Sequence, residues 1–343
     1  MTLAKQPALF REPEAVVPNT LALAYAFGGY ALALVLLVRP GVGSALGGVL
    51  LLAHAMLIAA YLLHEALHRT LLAGPLGNEL LGELLGFVAG SSYASYRRLR
   101  RQHLRHHLER ADVVCFDYKA FLRRQPGWVQ RGVLALEWLY VPAVEALMHL
   151  QVIVRPFAER GQRRHLPRVV LMLALRGGLL GALGSVAPRA LLLYFVAYTL
   201  LLLALGFFDT FHHTYPEYVL AAEAPLPAAI ESREFEQANT YSNVVAVRPA
   251  WLNWLVLCFG YHNAHHERVG TPWYRLPALH AELYPCSSSQ LLPLPALLRA
   301  FHRHRVERVF GDEQGSLSPT PGAESRGADD FIGARGVSFL SVV

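Results

Sequence analysis

Histidines occur in this sequence at spacings that suit metal binding. His262, His265 and His266 are three and four residues apart, so a helix would place all three imidazoles on one face. Neutral imidazole is the commonest nitrogen ligand for zinc, copper and iron. The segment from Gly260 to Glu267 is therefore the first candidate for a metal site.

Three further clusters repeat this kind of spacing. They are His103, His106 and His107; His64 and His68; and Asp209 and His213. The first is another His-x-x-His-His motif, and the other two each place two potential ligands four residues apart, on one helix face. The four clusters offer more ligands than one metal ion can use. The sequence therefore predicts two metal ions.

Composition indicates a membrane protein. The chain has 343 residues, of which 54% are hydrophobic and 16% charged, and its mean hydropathy is +0.30. This balance is high for a soluble domain and is typical of a multi-pass membrane protein with a cytosolic portion. The net charge of +6 comes from basic residues beside apolar segments, as the positive-inside rule expects. We therefore predict no nucleic-acid partner, and the three scattered cysteines indicate no disulfide framework.

Four apolar segments are long enough to cross a bilayer as helices. They cover residues 20–38, 44–63, 169–187 and 189–208, and each would span about 28 Å or slightly more. Short breaks separate the first from the second and the third from the fourth, so we expect two helical hairpins. All four ligand clusters then lie on one side of the membrane. The basic loops lie there too, so we place the metal site on the cytoplasmic face.

The segments between the hairpins are apolar but unsuited to crossing. We read residues 76–94, 132–154 and 249–259 as interfacial helices, because the first two carry internal charges and the third is short and rich in tryptophan. The predicted fold class is an all-α integral membrane protein. It has four transmembrane helices as two hairpins, interfacial helices, and a cytosolic histidine-rich cap that holds two metals.

Three parts of the chain follow from these assignments. Residues 1–19 form a cytosolic N-terminal segment without a signal peptide, since they contain charges and prolines but no apolar core. Residues 20–310 form the membrane domain. Residues 311–343 are rich in Gly, Ser, Pro and Asp without any period, and we predict that they form a disordered tail.

The order and spacing of the histidine motifs resemble those of the membrane fatty acid desaturase and hydroxylase superfamily. The resemblance is clearest at Gly260–His266 followed by Pro272–Pro277, which is similar to the third histidine box of that family. It extends over about residues 20–290. The three motifs in this order, interleaved with two hydrophobic hairpins, are strongly specific.

The resemblance implies a non-haem di-iron enzyme. It implies two Fe ions, O2 as co-substrate, a lipid or fatty acyl substrate, and a separate electron donor (a ferredoxin-like or haem carrier) with its reductase. The metal ligands would be His64, His68, His103, His106, His107, His213, His262, His265 and His266. In this family an asparagine that reaches the metal through water lies four residues before the histidine that corresponds to His213. Asp209 replaces it here, and a carboxylate could bind iron directly or through water.

Acidic residues near the motifs are candidates for orienting the histidines, because metal-bound imidazoles donate their other N–H group to an acceptor. The candidates are Glu65, Glu109, Asp112, Glu236 and Glu267. His212 would leave its helix about 100° from its neighbour His213, so we rank it below His213 as a ligand.

The reaction itself has several alternatives. We predict fatty acid desaturation; hydroxylation, oxidative decarboxylation of a free fatty acid to a terminal alkene, and carotenoid hydroxylation use the same metal site. A free acid would need a cation, which the arginines between Arg97 and Arg105 could supply. A distant alternative is a membrane zinc metalloprotease, since His64-Glu65-x-x-His68 fits its motif. That reading leaves both His-x-x-His-His motifs unexplained.

Overall fold

A computed structural model of the protein describes residues 9–109, 116–214, 232–284, 290–311 and 331–341. In these residues the regular structure is helical, and β pairing is limited to isolated bridges such as the one between His213 and Thr240. The all-α prediction is confirmed.

Two helical hairpins form the membrane part. Helices α1 (Val16–Val38) and α2 (Val42–His68) make the first, and α8 (Leu166–Val186) and α9 (Pro188–Thr210) make the second. Each is long and apolar enough to cross a bilayer. The four-span prediction is therefore confirmed. Both α2 and α9 continue past the predicted apolar limits, and the extension of α2 carries His64 and His68.

Burial differs strongly among the four spans. In the apolar window of α2, 67% of residues are buried, whereas in that of α8 only 11% are. Exposed apolar side chains such as Leu32 and Leu179 face the lipid. Their exposure carries no free-energy penalty there, because lipid tails are as apolar as leucine. Helix α2 is the central element against which the others pack.

Five α-helices lie between the hairpins in the part of the chain that the structure describes. They are α3 (Pro75–Ala89), α4 (Tyr96–Glu109), α5 (Tyr118–Arg123), α6 (Gly127–Trp138) and α7 (Ala143–Ala158). Helix α3 follows the end of α2, and α4 carries His103, His106 and His107. The prediction of one helix over residues 132–154 is wrong, because α6 and α7 meet at a bend of 118°.

The bend has a local cause. Pro142 has no backbone N–H to continue a helix, and Tyr140 adopts a left-handed backbone conformation with φ 62°. Beyond the break, the Val144 N–H donates to the Glu137 carboxylate at 2.9 Å, which caps the start of α7. Glu137 is buried, so this internal charge has a structural use.

The rest of the described chain forms a cap of short helices. These are α10 (Arg233–Ala238), α11 (His262–Glu267), α12 (Leu276–Leu283), α13 (Leu294–Arg303) and α14 (Glu307–Phe310). A 3-10 helix at Ala250–Val256 precedes α11. It exposes Trp251 and Trp254, as expected of an aromatic segment at a membrane interface.

The predicted disordered tail is wrong for residues 331–341. This segment is buried, and Phe331 and Leu340 are each only 1% exposed. Its Arg335 forms ion pairs with Glu137 and Glu145, and composition gave no sign of that pairing. The rest of the predicted tail, beyond Gly311, lies outside the described residues. The three-part division of the chain otherwise stays a prediction.

Close packing between α3 and α4 gives a test of this arrangement. A Cβ at Gly82 would overlap the ring of Tyr96, whose hydroxyl donates to the Ala66 carbonyl of α2 at 2.6 Å. Gly82→Ala should therefore destabilise the protein by about 1–3 kcal/mol, the usual cost of overpacking. The measurement is thermal unfolding in detergent.

The control is Gly47→Ala, on the lipid-facing side of α2, where a Cβ meets no atom within 4 Å. Its melting temperature should equal or exceed that of the parent. Equal melting temperatures for the two variants would contradict the packing of α3 against α4.

Candidate metal centre

Four parts of the fold bring nine histidines together on one side of the hairpins. The end of α2, helix α4, the turn after α9 and helix α11 each contribute. One group contains His64, His68, His103, His107 and His265, and the other contains His106, His213, His262 and His266. Within each group the potential ligand atoms all lie within 4.8 Å of one another. Every histidine that the sequence named as a ligand belongs to one of these groups.

The end of α2 is shaped to present its two histidines. Arg69 adopts the left-handed conformation with φ 60°. The Thr70 and Arg69 N–H groups donate to the carbonyls of Glu65 and Ala66. This pattern closes the last helical turn and stops the helix directly after His68. The ligand pair is therefore held on a rigid helix end.

Helix α11 is fixed by the residue between its histidines. The Asn263 side chain accepts a hydrogen bond from the Ser242 hydroxyl at 3.0 Å and donates to the Thr240 carbonyl. Asn263 is buried, so these bonds replace contacts with water that it has lost. They hold this six-residue helix, which is too short to be stable alone.

In the first group the imidazoles face one another through their Nε2 atoms. The Nε2 of His103 lies 2.7 Å from that of His68 and 3.0 Å from that of His107. His265 Nε2 lies 3.2 Å from His107 Nε2. His64 Nε2 is buried and has no hydrogen-bond partner among the described residues. A shared cation would satisfy these converging lone pairs, so the donor set fits a metal ion.

The second group has the same character. His213 Nε2 lies 2.8 Å from His262 Nε2 and 3.2 Å from His106 Nε2. His266 Nδ1 donates to a carboxylate oxygen of Glu236 at 2.7 Å, which leaves its Nε2 lone pair free. That buried Nε2 has no hydrogen-bond partner in the described part of the chain. This group also fits a metal ion.

The two groups adjoin each other. The ring of His107 in the first group lies 4.3 Å from the ring of His266 in the second, between centroids. His106 and His107 are neighbours on α4 but belong to different groups. The His-x-x-His-His spacing of α4 thus serves both groups, and two metal ions bound there would lie side by side.

Burial keeps these imidazoles neutral. It lowers the pKa of His265 to about 3 and moves the pKa values of His103, His107, His262 and His266 well below their usual range. Neighbouring imidazoles lower these pKa values further, because a second positive charge in the cluster would be repelled. Neutral imidazole is the form that binds metal, so the site is in its ligating state at neutral pH.

Two hydrogen-bond acceptors, one on helix α10 and one just after it, set the orientation of two ligand histidines. Glu236 on α10 accepts from His266, as described, and the Thr240 hydroxyl accepts from His213 Nδ1 at 3.1 Å. Thr240 was missed in the sequence, because no local spacing links it to His213. In both histidines Nε2 is left to the metal.

The other acidic candidates have different partners. Glu65 accepts hydrogen bonds from the Thr70 hydroxyl at 2.6 Å and the Trp273 N–H at 3.1 Å, and its other oxygen lies 3.7 Å from His64 Nδ1. Glu267 pairs with Arg233 at the surface. The Glu109 side chain and Asp112 lie outside the described residues.

Asp209 and His212 lie beside the second group without joining it. The Asp209 carboxylate is buried 3.8 Å from His212 Nδ1. His212 Nε2 pairs with the Asn243 side-chain oxygen at 3.0 Å. The His212 ring stacks on His262, with 3.9 Å between centroids. His212 therefore fixes the orientation of a ligand, a role that its spacing did not suggest.

The chain matches one protein family. A model of the family described as fatty acid desaturase matches residues 40–295, which include both histidine groups. No curated protein matches the chain.

Removing one ligand tests the metal assignment. Wild-type protein should contain about two metal ions per chain, one in each group, and His265→Ala should lose at least the ion of the first group. His280→Ala is the control, because His280 is also buried but lies outside both groups. Elemental analysis of detergent-purified protein gives the ratio. Equal metal content in both variants would contradict the assignment.

The hydrogen bond from His266 to Glu236 gives a second test. Glu236→Gln should weaken metal binding by about 10–100-fold, the usual cost of losing a carboxylate that orients a metal-bound histidine. Glu234→Gln changes an exposed residue of the same helix and should leave affinity unchanged. Competition with a metal chelator measures both. A loss no larger for Glu236→Gln than for Glu234→Gln would exclude this role.

Proposed function

This chain belongs to the fatty acid desaturase family, and on that basis we propose that it desaturates a fatty acyl chain at a centre of two iron ions. Family membership makes it an oxidoreductase of lipid metabolism in a membrane. The finer assignment of iron and of desaturation is our proposal. The observation that supports it most is the pair of adjoining histidine groups.

The reaction class favours iron over the other metals that imidazole binds. Desaturation removes two hydrogens from an acyl chain, and O2 accepts them together with two electrons from a donor and two protons from solvent to form two molecules of water. Zinc has no redox chemistry. Iron can change its oxidation state, so reduced iron ions held by the nine histidines would activate O2 as the oxidant. Aligned neutral imidazoles hold such ions without adding negative charge.

An apolar wall faces the first histidine group. The Phe259 ring lies 5.0 Å from that of His64 and stacks on Tyr61, with 4.2 Å between centroids. Phe208 packs edge-on against Tyr61. These side chains come from both hairpins and the cap, and they exclude water from the side on which an alkyl chain would approach. A dry wall also protects a strong oxidant from side reactions.

The charge distribution supports a cytoplasmic metal centre. Arg97, Arg160 and Arg164 are exposed on the side that carries the histidines. The opposite side has the two tight turns of the hairpins, with Arg39 and Arg189. The excess of basic residues on the histidine side fits the positive-inside rule. A separate acidic carrier, ferredoxin-like or haem-containing, could dock on this basic surface and deliver electrons.

The sequence predicted that arginines between Arg97 and Arg105 could hold a substrate carboxylate, and two of them have partners within the protein. Arg97 pairs with Glu79 at 2.7 Å, and Arg98 donates to the Gln162 side chain at 3.1 Å. These two arginines therefore have protein partners on the surface. We assign the acyl chain as the part of the substrate that the apolar wall contacts.

Asp209 is the reason to consider a second reaction at this site. The family has asparagine at this position, whereas this chain has a buried carboxylate beside the second histidine group. A carboxylate can bind and release a proton, which an amide cannot. We therefore retain hydroxylation and oxidative decarboxylation of a free fatty acid as the second candidate. The metalloprotease alternative has no support, since Glu65 is held by Thr70 and Trp273.

Reconstitution tests the proposal. Iron-loaded protein in nanodiscs, with ferredoxin, its reductase and NADPH, should consume O2 when supplied with an 18-carbon fatty acid or its acyl carrier thioester. Mass spectrometry should then detect the mono-unsaturated product. His262→Ala should lower the rate by more than about 100-fold, because even partners of the ligands contribute about 10–100-fold.

Asp209→Asn identifies the outcome. Under the desaturation proposal this variant keeps forming the unsaturated product, since it restores the family residue. A hydroxy acid or a terminal alkene as the main wild-type product would establish the second candidate. No O2 consumption with any fatty acid or acyl carrier would refute both.

A further inference from the structure

Residues 331–341 run into the metal centre. We call residues 331–341 the C-terminal segment. It begins with Phe331 packed on Phe211 and Tyr241, at 5.6 and 5.0 Å between ring centroids. It continues to Phe339, whose ring lies 5.4 Å from that of His64. The segment thus passes from the cap to the side of the first histidine group that the apolar wall lines.

A buried ion-pair network anchors this segment. The Arg335 guanidinium lies 3.2 Å from a Glu137 oxygen and 3.4 Å from a Glu145 oxygen. It also lies 4.8 Å above the Phe301 ring. All three charged residues are buried. Without Arg335 the two buried carboxylates would lose the cation that this segment supplies. Burying negative charges without a partner destabilises a fold strongly. The α6–α7 bend is therefore built to receive this arginine.

Two glycines let the segment pass where other residues would not. Gly333 and Gly336 have φ values of 73° and 72°, a region that other residues adopt rarely. A Cβ at Gly333 would overlap the Thr210 carbonyl, and one at Gly336 would lie 2.9 Å from the Tyr118 ring. The Ala334 N–H donates to the Thr210 carbonyl at the end of α9, at 3.0 Å. The sequence of the segment thus suits this path.

The last described residues fill space beside the metal ligands. Phe339 contacts His103 and Phe259 as well as His64, with 6.1 Å between ring centroids in both additional pairs. These contacts place an apolar side chain of the protein in the space beside the ligand histidines, next to the apolar wall.

Leu340 separates this space from a cavity that faces the lipid. The cavity lies between α7 and α9, has a volume of about 260 Å³ and is lined by Leu150, Phe195, Tyr198 and Leu340 among others. Leu150 and Phe195 are each 50% exposed on the outer surface of the helices. Its lining is largely apolar. An alkyl chain that entered here from the bilayer would meet Leu340 and then Phe339 before it reached the histidines.

We propose that the C-terminal segment is an intramolecular plug that competes with the acyl chain for the space beside the histidines. The acyl chain enters through the α7–α9 cavity, and Ser338, Phe339 and Leu340 withdraw while Arg335 stays anchored. This inference rests on the proposed function for the nature of the substrate. It concerns binding, however, and can be tested without turnover.

The test is equilibrium binding of cis-parinaric acid, a fluorescent 18-carbon polyene fatty acid, to iron-loaded protein in nanodiscs without reductant. The variant is the double substitution F339A/L340A, which removes the plug and keeps the Arg335 anchor. It should bind the probe about tenfold more tightly if the plug is withdrawn about a tenth of the time, because apparent affinity scales with the competent fraction. Leu179→Ala, on the lipid-facing side of α8, should bind the probe like wild type.

Two results would overturn the plug. Unchanged or weaker probe binding by the double variant, with its metal content intact, would make the segment a permanent wall of the site. If the double variant loses metal, the single variant L340A replaces it, and unchanged probe binding there has the same meaning. Tighter probe binding without product from any acyl substrate would refute the proposed function and leave the plug standing.

Discussion

The convergence of nine neutral imidazoles in one dry region is the constraint on which the rest of the structure depends. Buried polar nitrogens that face one another are costly unless a cation lies between them. Two adjoining groups of five and four histidines are therefore understandable as metal ligands and hard to explain as packing. The helix ends, the short helix α11 and the acceptors behind the ligands all serve to hold this arrangement.

The position of the centre at the membrane surface follows from the same constraint. Ligands at and just beyond the ends of α2 and α9 can be rigid because both spans are long apolar helices. Their apolar neighbours Tyr61 and Phe208 come from these spans, and Phe259 comes from the cap. Under the proposed function, a substrate dissolved in lipid and an electron donor dissolved in water would meet at this site. The buried C-terminal segment places Phe339 beside these apolar neighbours and His64.

Much of this could be read from the sequence, because helical spacing and apolar length are local properties. The spacing of His262, His265 and His266 and the apolar runs of the hairpins need no knowledge of distant residues. Other features depend on pairs far apart in the chain. Arg335 lies 198 residues from Glu137 and 190 from Glu145, and a Gly- and Ser-rich composition hid its burial. The pairing of His213 with Thr240 and the bend between α6 and α7 likewise required the folded structure.

The measurement that tests the account most directly is anomalous X-ray diffraction at the iron absorption edge, from crystals of the iron-loaded protein. The account predicts two anomalous peaks per chain, one among His64, His68, His103, His107 and His265 and one among His106, His213, His262 and His266. A single peak, or peaks away from these histidines, would contradict it.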